Sequence, residues 1–132
     1  MKKVFWIVAA VAMLLAGRPV LAHHSFAAEF DANKPVKLTG TVTKIEWMNP
    51  HAYFYIDVKD ASGKVDNWGL EMGSPNGLMR QGWTRNSLKV GDEVTVDGSM
   101  AKDGSKIANA KSVVLAGGTK LFAASSQQTA QP

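Results

Sequence analysis

The stretch Val36-Lys37-Leu38-Thr39-Gly40-Thr41-Val42-Thr43-Lys44-Ile45-Glu46-Trp47 decides how the chain is read. From Val36 to Thr43 apolar or small residues alternate with Lys and Thr, the period of two of a half-buried strand. At Ile45 and Trp47 the apolar positions move to the other parity. A one-residue shift sends side chains to the opposite face, so the pattern predicts a β-bulge near Thr43-Lys44 in a long, bent first strand. Gly40 within that strand suits the same curvature.

Working outward, Ala52, Phe54, Ile56 and Val58 alternate with His51, Tyr53, Tyr55 and Asp57 in a second strand, and Ser62-Gly63 marks a hairpin turn before a third strand carrying Trp68, Leu70 and Met72. Ser74-Pro75 is a helix start, with Ser as N-cap and Pro at the first helical position. Gly77 and Gly82 weaken the helical pattern beyond it, so a short helix over 75–82 is expected. Val94 and Val96 point inward from a fourth strand, Asp103-Gly104 turns, and Ile107 to Leu115 makes a fifth. Thr119 to Phe122 adds a short pairing segment. This order predicts a mainly β fold: a small five-stranded OB-like Greek-key barrel with a short helix between strands 3 and 4. A small antiparallel sandwich is the alternative.

The 132 residues carry 15 Lys plus Arg and 11 Asp plus Glu, a formal charge of +4. Lys2 and Lys3 precede an apolar run, Val4 to Ala16, and Val20-Leu21-Ala22 supplies small residues at −3 and −1. This is the pattern of an export signal cleaved after Ala22. The run is short for a membrane span, which needs about 20 residues. The chain then divides into a signal peptide (1–22), an N-terminal arm (23–35), the β domain (36–122) and a disordered tail (123–132). Cleavage removes three bases and no acid, leaving 12 against 11. A periplasmic or secreted protein close to neutrality is expected, with no nucleic acid among its partners and no membrane contact after cleavage. Cys is absent, which excludes disulfides, thiolate metal sites and Cys nucleophiles.

All three His lie in the mature chain. Cleavage makes His23 the N-terminus, where a free amine and the imidazole of one residue can chelate a metal. His24 lies beside it, and His51 precedes the aromatic strand. Nitrogen ligands without thiolate favour Cu(II). The set is similar to a histidine brace, in which a terminal His and a second His hold copper. The plainer reading, a frayed polar terminus and an ordinary strand-start His51, stays open. Trp47, Tyr53, Tyr55 and Glu71 form a candidate ligand face, although the two Tyr rings would equally serve as cover for the barrel. Met48, Met72, Met79 and Met100 are expected to fill the core. The Met100–Gly104 hairpin tip is expected in solvent. No nucleophile-elbow, H-E-x-x-H or phosphate-loop motif occurs, so binding is expected rather than catalysis.

The segments Ala22-His23-His24-Ser25-Phe26, Glu46-Trp47-Met48-Asn49-Pro50-His51, Trp68-Gly69-Leu70-Glu71 and Gly91-Asp92-Glu93-Val94 resemble a family of small exported bacterial proteins classed as a domain of unknown function. The resemblance implies export and an OB-like barrel, and carries no activity. The expectation is an exported binding protein holding copper through His23, His24 and His51. The alternative is a protein- or glycan-interaction module built on outward aromatics, without metal.

Overall fold

A computed structural model describes residues 26–124 of the chain. Among these, α1 (Phe26–Glu29) leads into a 17-residue β1 (Phe30–Glu46), followed by β2 (Tyr53–Lys59), β3 (Val65–Glu71), α2 (Pro75–Arg80), β4 (Glu93–Ala101), β5 (Ile107–Val114) and β6 (Lys120–Phe122). The fold is mainly β. β1 pairs antiparallel with both β2 and β4, β2 with β3, and β4 with β5. β3 and β5 then meet in parallel at Gly69–Glu71 and Ile107–Asn109, closing five strands into a ring. β6 pairs antiparallel with β5 outside that ring.

The β1–β2 register slips between Val42 and Lys44, where the parity shift places the bulge. Two glycines let the strands bend and cross. A Cβ on Gly40 would stand 2.3 Å from the Asp57 carbonyl oxygen, and one on Gly98 the same distance from that of Asn109. Both lie far inside van der Waals contact, so only Gly fits where these backbones approach each other.

The ring's interior holds Leu38, Val42, Phe54, Ile56, Trp68, Leu70, Val94, Val96 and Val113, all buried. Met72 joins them at 1% exposure. Met48 and Met79, expected in the core, stand about half exposed. Met48 lies in the β1–β2 loop beside the cis Asn49–Pro50 bond. On α2 the inward positions are taken by Pro75 and Leu78, which leaves Met79 outside. α2 is capped as its sequence predicts, with Ser74 Oγ accepting from the Gly77 N–H, but it ends at Arg80 rather than at Gly82.

Both ends of the domain extend beyond their expected bounds. β1 begins at Phe30, six residues before its alternation starts, because Phe30 pairs with Ala101 across an irregular stretch up to Pro35. Ala123 and Ala124, expected in the tail, are buried. The Ala123 N–H donates to the Lys111 carbonyl, and its own carbonyl accepts from the Gly73 N–H at 2.8 Å. The Trp83 indole N–H donates to the Phe122 carbonyl at 2.7 Å. The chain end is thus sewn to β5, to the loop after β3 and to the loop after α2. The expected signal peptide and residues 125–132 lie outside the described residues. Among the described residues, no helix is long and apolar enough to cross a membrane.

Candidate functional site

The outward positions of β2 and β3 carry the site. Tyr53 and Glu71 are direct cross-strand partners, so their side chains share one face. The Tyr53 hydroxyl donates to Glu71 Oε2 at 2.8 Å. His51, two residues before β2, places Nδ1 3.0 Å from Glu71 Oε1. One nearly buried carboxylate, 7% exposed, therefore grips a phenol with one oxygen and an imidazole with the other. Burial, reinforced by the Glu71 carboxylate, pushes the Tyr53 phenol far above its ordinary value, so the hydroxyl remains a donor at any physiological pH.

Tyr55 lies one pair along the same face. Its ring rests over Gly69, where a Cβ would come within 3.2 Å of Cε1, and its hydroxyl donates to Glu46 Oε2 at 3.2 Å. The Lys44 ammonium stands 5.3 Å from the ring centroid and also pairs with Glu46. Trp47 packs against the core cluster. Of the candidate ligand face, Tyr53 and Glu71 are brought together, Tyr55 is held within its own polar cluster, and Trp47 serves packing. His51 joins the Tyr53–Glu71 pair. His23 and His24 lie outside the described residues. Among the described residues no three His, Cys, Asp or Glu side chains cluster as a metal-ligand set.

Tyr53 and Glu71 also line an open cleft of about 370 Å³, together with Glu29, Phe30, Lys102 and Ile107. Asp103 and Ser105 line it as well. The β4–β5 hairpin tip is exposed at Lys102, Asp103 and Gly104, as expected, and from there it also lines the cleft. The Lys102 ammonium donates to the Ala27 carbonyl, and the Lys102 N–H to the Glu29 carbonyl at 2.9 Å, which fastens the hairpin to α1. This fastening joins residues about 75 positions apart, and no local pattern announces it.

The row does not stop at Glu71. Asn109 is its parallel partner on β5, and Ser99 on β4 is the antiparallel partner of Asn109. Both are buried, at 3% and 4% exposure. Asn109 Oδ1 is a buried side-chain acceptor with no hydrogen-bond partner. Parity places Asn109 on the outward face, but only the β3–β5 pairing reveals its neighbour.

A family model matches residues 11–110 of the chain. The chain belongs to DUF6152, a family of unknown function. No curated protein matches the DUF6152 chain in sequence. Among solved structures it is similar to Rim1, a mitochondrial single-stranded DNA-binding protein of S. cerevisiae, at 11% identity and a TM-score of 0.49, over 62% of this chain and 92% of that one. It is also similar to the N-terminal domain of PriB from Thermoanaerobacter tencongensis, at 21% identity and a TM-score of 0.45, over 63% and 96%. The expectation that nucleic acid is excluded as a partner is corrected by the first of these likenesses, to a protein that binds single-stranded DNA.

Proposed function

We propose that this DUF6152 protein is an exported binding protein built on an OB-like Greek-key barrel, and that it binds copper through His51 together with the mature terminus at His23 and His24. The observation that carries the reading is that Glu71 accepts the Tyr53 hydroxyl with one oxygen and stands 3.0 Å from His51 Nδ1 with the other. A metal-ligating His characteristically donates its second ring N–H to a carboxylate, which fixes the tautomer and raises the basicity of the ligating nitrogen. With Nδ1 engaged by Glu71 at 3.0 Å, Nε2 is the nitrogen left to ligate. Glu71 is itself held by the Tyr53 hydroxyl, so the carboxylate facing the imidazole is fixed in place. The position supports the reading as well. In an OB-like barrel the face of strands 2 and 3, flanked by the loops 1–2 and 4–5, is where ligands bind. His51 lies in the first of these loops and Lys102 to Ser105 in the second.

Calorimetric titration of Cu(II) into the chain beginning at His23 tests the proposal. His51→Ala should abolish tight binding, and Glu71→Gln should weaken it by about 10- to 100-fold. An added N-terminal Met should weaken it too, by blocking the terminal amine. If His51→Ala binds as the parent does, copper is not held here. If the added Met changes nothing, the amine is not a ligand.

A further inference from the structure

α1 is four residues long, too short to keep a helical form by its own hydrogen bonds. The β4–β5 hairpin holds it in place. The last carbonyls of a helix have no partner within it, and Lys102 takes two of them. Its ammonium donates to the Ala27 carbonyl, and its backbone N–H to the Glu29 carbonyl at 2.9 Å. Phe26 stacks on Phe30 with ring centroids 5.7 Å apart, and Phe30 is buried opposite Ala101.

This clamp sets where the chain enters the domain. Ala28, Glu29 and Phe30 line the cleft together with Tyr53 and Glu71. The Glu29 carboxylate stands close enough to the Tyr53 phenol to act on it electrostatically. Glu71, which accepts from that phenol, has its other oxygen 3.0 Å from His51 Nδ1. His23 lies five residues before Ala28. Five residues of extended chain span about 17 Å at most, so a terminus leaving the clamped α1 has His51 within its reach. A terminus released from the clamp samples a larger volume, and its effective concentration at His51 falls.

We propose that Lys102 is a positioning residue of the metal site, holding α1 to the hairpin so that the mature terminus at His23 meets His51. This role rests on the copper reading above: Lys102 touches no metal and acts through the terminus. A terminus already held near its partner ligand has less freedom to lose on binding, which is the advantage of a preorganised site. Lys102 is exposed, and Lys102→Leu removes the ammonium donor. The backbone bond to Glu29 and the Phe26–Phe30 stack remain in that variant, so the domain keeps its fold.

Calorimetric titration of Cu(II) into variants of the chain beginning at His23 tests this role. Lys102→Leu should weaken binding by about three- to tenfold. Lys102→Arg, which keeps a donor for the Ala27 carbonyl, should bind as the parent does. In the chain with an added N-terminal Met, Lys102→Leu should change nothing, because the blocked amine has no position to lose. At saturating Cu(II) the electron paramagnetic resonance spectrum of Lys102→Leu should match the parent's, since the ligands are the same. Parent affinity in Lys102→Leu, with His51→Ala and the added Met still weakening binding, would overturn the positioning role and leave the copper reading standing. An equal loss in both chain forms would make the effect one of stability, and a changed spectrum would make Lys102 a ligand; each overturns the role. Parent affinity in both His51→Ala and the added-Met chain would overturn the copper reading and this role together.

Discussion

The inside and the outside of the same strands bury different things. Along β2 and β3 the inward positions are Phe54, Ile56, Trp68 and Leu70, and they form an apolar ring filling. The outward positions one residue away are Tyr53 and Glu71, then Asn109 and Ser99 on β5 and β4. These too are buried or half-buried, yet polar. Burying carbon is favourable wherever it occurs, whereas burying a carboxylate or an amide is favourable only if its hydrogen bonds are made. The inside therefore specifies the fold. The outside carries an energetic liability that Tyr53 and His51 offset at Glu71 and that nothing offsets at Asn109 Oδ1.

Four substitutions would break or sharpen this contrast. Phe54→Ala, at 0% exposure, should cost about 3–5 kcal/mol in urea denaturation. A cost under about 1 kcal/mol would mean that the ring interior is not the stabilising core. Glu71→Ala strips His51 and Tyr53 of their shared acceptor and should cost about 1–3 kcal/mol by the same measurement. Tyr53→Phe removes one of those bonds and should cost about 1 kcal/mol at neutral pH.

Tyr53 also predicts a pH dependence. Its phenol is raised in the folded state, so its contribution is complete below the unfolded value of about 10 and is lost as pH rises beyond it. Melting temperature should fall with alkaline pH more steeply in the parent than in Tyr53→Phe. Smallest in effect, Asn109→Leu replaces an amide whose oxygen has no hydrogen-bond partner by carbon of similar size. It should leave stability unchanged or raise it by about 1 kcal/mol. A loss of more than about 1 kcal/mol would place Asn109 among the paired residues.

Local patterns told most where the physics is local. The parity change after Val42 located the bulge, because a strand's two faces are written into alternate residues. Ser74-Pro75 located the start of α2, because a cap acts within three residues. Phe30 was illegible as strand, since Asp31 to Pro35 do not alternate and its pairing with Ala101 is distant. The site was half legible. His51, Tyr53 and Glu71 stood out singly as an imidazole, an outward ring and a strand-end acid. Their convergence depends on the β2–β3 register, and Asn109 enters only through the parallel closure of β3 on β5. Glu29 and the Lys102–Ser105 hairpin were missed because solvent exposure, not chemistry, was all their sequence announced.

The stitches made by Ala123 bear on how the molecule is put together in time. Gly73 and Lys111 are joined through a residue 50 positions beyond the first of them, and the Trp83 indole finds its acceptor in Phe122. Contacts of such long sequence separation form slowly, because a large loop must be ordered before they reward it. Without Phe122 and Ala123, the Trp83 indole N–H and the Gly73 N–H lose the acceptors that the fold gives them. Phe122 and Ala123 thus lock residues far earlier in the chain, and amide exchange at Gly73 should report that locking.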